Sequence, residues 1–199
     1  MSVKYFFFRV AALVIMLSAW SIAFAFSPER FVQDARAQIG KTLQYDPAYV
    51  RIPYPMGDIP IVQGVCTDVV IRALRRQGID LQQRVHEDMR KNFHLYPNQP
   101  RWELSKPDTN IDHRRVPNLQ RYFERKGYTV TDNTFRPGDI VTWNLRPLVE
   151  HIGIVSDRKD PTGQRPLIIH NFGQGTQEED ILTSYTITGH YRIAQNRRE

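Results

Sequence analysis

The sequence predicts an α+β fold, with helices first and antiparallel strands after. Two observations carry this. Apolar residues recur at helical spacing from Phe31 to Phe123, and from Tyr128 onward the pattern changes to a period of two. Helical and strand patterns that follow one another, rather than alternating, are the layout of α+β domains. The 199 residues suit one compact domain plus a targeting segment.

The N-terminus comes first. Lys4 and Arg9 give a basic start, Val10 to Phe26 is apolar but for Ser18 and Ser21, and Ala23-Phe24-Ala25 places small residues where a signal peptidase reads. This predicts a secretory signal peptide over residues 1–25, cleaved after Ala25, and a mature domain over 26–199 in the periplasm or secreted. The apolar stretch is short for a spanning helix, which needs about 20 residues, so no stable membrane span is expected after cleavage. Losing Lys4 and Arg9 lowers the net charge from +6 to +4. This mild excess, with no basic run interleaved with aromatics, argues against nucleic acid.

A first helix is expected over 27–40, capped by Ser27, with Pro28 at its first position and Phe31, Ala35 and Ile39 four apart. Residues 45–64 hold four prolines and two glycines among other breakers and read as an irregular loop. Helices follow over 66–77 and 81–96. A polar loop spans 97–116, and Pro117 opens a helix ending at Gly127. Strands are expected at 128–131, 140–143, 151–156 and 167–171, with a last one within 185–193.

Cys66 is the sole cysteine, so no intramolecular disulfide exists. In an exported chain such a residue is buried and inert, paired between chains, or reactive. Its place at a helix start, behind a Pro/Gly loop, favours a thiolate in a cleft with a lowered pKa. Equally, it fits a small apolar residue in the first turn of a core helix. His151 opens a strand, with Gly153 leaving room beside it. There an imidazole can take the thiol proton and return it to a leaving amine. His170 ends the next strand and Asn171 follows it. Adjacent strand residues face opposite ways, so only one of these two can orient His151, and the register decides which.

The order of these residues resembles the papain-like superfamily, in particular its NlpC-type cell-wall peptidases and amidases. The stretches that carry it are Gly64-Val65-Cys66-Thr67-Asp68, Pro137-Gly138-Asp139-Ile140-Val141, His151-Ile152-Gly153-Ile154-Val155 and Ile169-His170. A closer resemblance, over most of residues 60–193, is to a family of exported bacterial proteins grouped as a domain of unknown function in that clan. It rests on Gly64–Val70, residues 85–89, 108–119 and 170–173, and Thr188-Gly189-His190-Tyr191-Arg192. The resemblance implies a papain-like NlpC-type fold and a Cys66–His151 pair.

Other polar residues suit a substrate rim: Asp68, Asp112, His113, Arg114 and Asn171. Arginine there would suit a peptide carboxylate. The alternative is an internally salt-bridged loop around residues 108–115, with Asp68 serving only the first helical turn. The histidine spacings match no metal pattern, so neither metal nor other cofactor is expected. The expected activity is hydrolysis of an amide bond in peptidoglycan peptides by a monomer: Cys66 attacks, His151 serves as base then acid, His170 orients it, and the Cys66 amide helps stabilise the oxyanion. The competing expectation is a non-catalytic cell-envelope binding module on the same fold.

Overall fold

A computed structural model describes residues 25–193 of the chain. The expected signal segment, apart from Ala25, lies outside them. Among the described residues no helix is long and apolar enough to cross a membrane.

The domain is α+β, with helices packed on one face of an antiparallel sheet. Helix α1 (Pro28–Arg36) starts where expected: the Ser27 hydroxyl accepts the Arg30 amide, satisfying one of the donors a helix start leaves unpaired. Short strands β1 (Gln44–Tyr45) and β2 (Gln63–Gly64) then pair in parallel at the two ends of the irregular loop. Helices α2 (Cys66–Arg76), α3 (Leu81–Asn92) and α5 (Val116–Arg125) match the periodic stretches. The segment expected to be loop over 97–116 instead holds the short helix α4 (Asn98–Trp102) and a 3-10 turn at Asp112–Arg114. Asn-Gln-Pro-Arg-Trp carries no apolar periodicity, so no sequence pattern marks it.

The sheet contains β3 (Ile140–Arg146), β4 (Val149–Lys159), β5 (Pro166–Asn171), β6 (Thr176–Glu179) and β7 (Thr186–Tyr191), in the order β6-β5-β4-β3-β7. Its strands run longer than the sequence predicts. The stretch expected as a strand at 128–131 makes only an isolated bridge between Thr129 and Tyr191. Strand β6 was not expected, because Thr-Gln-Glu-Glu shows no apolar alternation. It is an edge strand, where polar residues are usual.

Alternation along the strands sorts the core into two clusters. Ile140, Ile152, Ile154 and Ile169 face the helices and pack with Val69, Ala73, Leu74 and Phe123. Val141, Trp143, Val155 and Ile168 face the other way and are covered by Leu182, Phe135 and Tyr185. The Trp143 indole N–H donates to the Leu182 carbonyl at 3.0 Å, which meets its polar requirement inside an apolar cluster.

Candidate active site

Cys66 is the first residue of α2, behind Val65. The helix packs on β4, and the backbone amide of Ile152 is directed at the Cys66 sulfur, as are the amides of Thr67 and Cys66 itself. These dipoles favour a thiolate, as the helix-start argument expects. They do not prevail. Cys66 is 4 % exposed, and burial among apolar side chains pushes its thiol up to about 12. The expectation of a thiolate lying in an open cleft with a lowered pKa is therefore corrected. Desolvation of the anion outweighs the helix end.

His151 and His170 come together. The His151 Nε2 lies 3.0 Å from the His170 Nδ1, with the rings at right angles and their centroids 5.0 Å apart. The register explains this. Ile154 pairs with Ile169, so the row beside it brings Gly153 and His170 opposite one another, and His151 follows on the same face. A Cβ at Gly153 would come within 2.5 Å of Ile168 Cγ2 and 3.2 Å of His170 Cβ. Glycine is thus what lets the His170 side chain lie across β4 toward His151. Phe172 closes over the pair, 5.0 Å from the His151 ring, and stacks on Tyr185. Burial holds the His151 imidazole down to about 3, so it is neutral at ordinary pH with a lone pair to offer. His170 is likewise lowered by burial.

Asn171, one step on, points to the opposite face. Its Nδ2 donates to the Gly64 carbonyl at 3.0 Å, tying β5 to the segment just before Cys66. The register therefore puts His170, and not Asn171, on His151. Among the described residues no hydrogen bond joins the Cys66 thiol to the His151 ring. The thiol meets the β4 backbone at Ile152, next to His151, on the helix side of the sheet, whereas His151 shares the other face with Trp143.

The remaining expected rim residues are buried. The Asp68 carboxylate accepts two hydrogen bonds from Arg114, at 3.0 and 2.9 Å, and the Val65 amide at 2.7 Å. Arg114 also donates to the carbonyls of Asp46 and Ala48. Asp112 accepts from Asn98 and from the Asp108 amide. His113 is buried and held down to about 3 by desolvation and by the neighbouring Arg114 and Arg75 charges. Asp68, Asp112 and Arg114 thus form an internally paired scaffold, with His113 buried beside it, rather than a substrate rim. Two isolated ions would be costly to bury, and pairing with extra hydrogen bonds resolves that cost.

This scaffold holds the 45–64 loop against α2. Arg72 donates to Asp58 and to the carbonyls of Ile59 and Gln63, and Arg75 to the carbonyl of Gly57. The loop in turn presents Tyr45, Tyr49, Tyr54 and Met56 to solvent. Tyr45 is a site residue that sequence reasoning missed. Pairing of β1 with β2 sets it beside Gly64, and its hydroxyl lies near the Cys66 thiol. Burial, and then the thiol and Asp68 nearby, push that hydroxyl's pKa up, so it stays a proton donor. A two-residue parallel pairing across an irregular loop leaves no local signal. Among the described residues there is no cluster of three or more His, Cys, Asp or Glu able to hold a metal ion.

A family model described as a domain of unknown function, DUF1287, matches residues 32–193. The chain belongs to the DUF1287 family. A relative from Escherichia coli (strain K12), described as uncharacterized protein YijF, is 55 % identical over 162 residues, covering 79 % of this chain and 78 % of that one. No solved structure matches.

Proposed function

We propose that this DUF1287 protein is an exported cysteine hydrolase of papain-like, NlpC-type build that cleaves an amide bond, with peptidoglycan peptides as its substrate class. The observation that carries the reading is the His151–His170 hydrogen bond, set on the strand whose backbone meets the Cys66 sulfur. A base held by a second polar side chain, on the strand that a lone thiol at a helix start packs against, supplies the groups that nucleophilic acyl chemistry uses.

At rest the pair is a neutral thiol and a neutral imidazole. As Cys66 attacks the carbonyl carbon, its proton passes to His151. Each charge so formed compensates the burial of the other, which is why neither ion forms alone. The resulting oxyanion meets the Cys66 amide and the Tyr45 hydroxyl; removing one such donor costs about 2.7–4 kcal/mol of transition-state stabilisation. The imidazolium then protonates the leaving amine, and water, activated by the same imidazole, releases the acyl group from Cys66. The Cys66 sulfur and the His151 ring lie on opposite faces of β4, so the proton transfer between them requires the strand to turn at His151 when substrate binds, a larger change than the tightening of a long hydrogen bond.

The competing reading is a binding module of the cell envelope that uses the same fold without turnover. The observation that favours it is the buried thiol with no hydrogen bond to His151. Purified peptidoglycan incubated with the native protein, Cys66→Ala and His151→Ala separates the two. Hydrolysis predicts soluble fragments from the native protein alone, read by mass. Equal fragment yields from all three, together with retained sacculus binding, overturn it in favour of the binding module.

A further inference from the structure

The His151–His170 pair leaves one polar atom to explain. His170 Nε2 is shielded from solvent and makes no well-directed hydrogen bond, yet the Glu179 carboxylate lies 3.1 Å from it. Glu179 is on β6, opposite Ile168, so it reaches His170 diagonally across the same face. The residue directly opposite His170 is Gln177, whose Nε2 is turned away to the Gln174 carbonyl. The neighbouring Glu178 faces the other side, where Arg36, Arg158 and Ser156 hold it. Around the His170 ring, then, the groups from each packed element are the His151 imidazole from β4, the Glu179 carboxylate from β6 and the Phe172 ring from the end of β5.

From this geometry we propose that Glu179 is a positioning residue that fixes the proton pattern of both histidines and so selects the nitrogen with which His151 acts as base. The inference rests on the hydrolase reading for its catalytic meaning, though not for its structural content. A carboxylate accepts hydrogen bonds and cannot donate. It therefore holds the His170 proton on Nε2. The His170 Nδ1 is then an acceptor, and at 3.0 Å it requires the proton on His151 Nε2. That leaves His151 Nδ1 bare, and it is the one ring nitrogen free to take a proton from a thiol. The opposite pattern would set a His170 lone pair against the carboxylate and place a proton on His151 Nδ1, which disables the base. No covalent step is added: the relay sets where protons rest before the reaction.

The test reads the tautomers directly by nitrogen-15 correlation spectroscopy of the histidine rings in the native protein, Glu179→Gln and Glu179→Ala. Native protein is expected to show His151 and His170 both protonated at Nε2. In Glu179→Ala, His170 is expected to shift toward the Nδ1 tautomer and His151 to follow. Glu179→Gln, whose amide oxygen can still accept from Nε2, is expected to keep most of the native pattern. Glu179 is half exposed on an edge strand, which favours a folded variant, and the native spectrum alone can overturn the proposal. A native His151 protonated at Nδ1, or a Glu179→Ala spectrum identical to the native one, would do so. On peptidoglycan, Glu179→Ala should lose kcat by about tenfold with KM little changed, less than the roughly 10²–10⁴-fold that loss of the general base itself costs, and Glu179→Gln should restore much of it. The predicted tautomers without any native turnover would sink the hydrolase reading while leaving the relay standing.

Discussion

Cys66 places two physical effects in opposition. The first turn of α2 and the Ile152 amide stabilise a sulfur anion, and burial destabilises it more strongly. The consequence for stability has a definite sign. A thiol raised from 9.0 to about 12 stays protonated in the folded chain while the unfolded chain ionises. The stabilisation is fully present below pH 9 and is lost as pH rises toward 12. Urea midpoints measured from pH 8 to 11 should fall in the native protein with a steeper slope than in Cys66→Ala. His113 works in the other direction. Its folded value near 3 lies below the ordinary 6.5, so the unfolded chain binds the extra proton between them. Stability should drop as pH falls from 6.5 toward 3, and His113→Asn should flatten that slope. Asp68→Ala would leave the Arg114 guanidinium buried without its partner, and should cost roughly 3–5 kcal/mol in urea denaturation. The double variant Asp68→Leu/Arg114→Leu should cost less than Asp68→Ala alone.

Among elements, β4 and β5 matter most for the site. Gly153→Ala would drive a methyl group into Ile168 and His170, so it should destabilise by about 1–3 kcal/mol and weaken the His151–His170 contact. The Arg72 side chain performs a comparable task for the 45–64 loop. Arg72→Met should leave α2 folded but raise hydrogen exchange at residues 58–64, where its carbonyl partners lie. What the sequence disclosed follows the same lines. Helices α1, α3 and α5 were legible because each buries one apolar stripe, α2 because its apolar residues recur at helical spacing although Cys66 to Leu74 is buried all round, and β3, β4 and β5 because their apolar runs are bounded by turn residues. Strands β1, β2 and β6 and helix α4 were not, since they are short or polar and exist through long-range pairing. That His170 or Asn171 would meet His151 was legible and which of them was conditional on register, whereas the expected Cys66–His151 pairing is not formed, because the sequence does not say which face of β4 the helix covers. Tyr45 and Glu179 reach the site across strand pairings that only the folded chain reveals. The polar run at 108–115 was ambiguous by composition, and burial resolved it toward a scaffold.

On the scale of the molecule, two polar systems serve one region from opposite sides of the sheet. The buried pairs around Asp68, Arg72 and Arg114 fix the loop and helix start that present the thiol. The histidine pair, beneath Phe172 and Tyr185, holds the base of the proposed hydrolysis. The DUF1287 match spans both systems, from residue 32 to residue 193. The proposed chemistry adds water across an amide bond at their junction. Digestion of peptidoglycan in water enriched in oxygen-18 tests this most directly. The account predicts that fragments released by the native protein with a new carboxyl end carry one heavy oxygen there, that those with a new amine end carry none, and that folded Cys66→Ala and His151→Ala release neither. Labelled fragments appearing at the native rate from either variant, or no labelled fragment from the native protein, would contradict it.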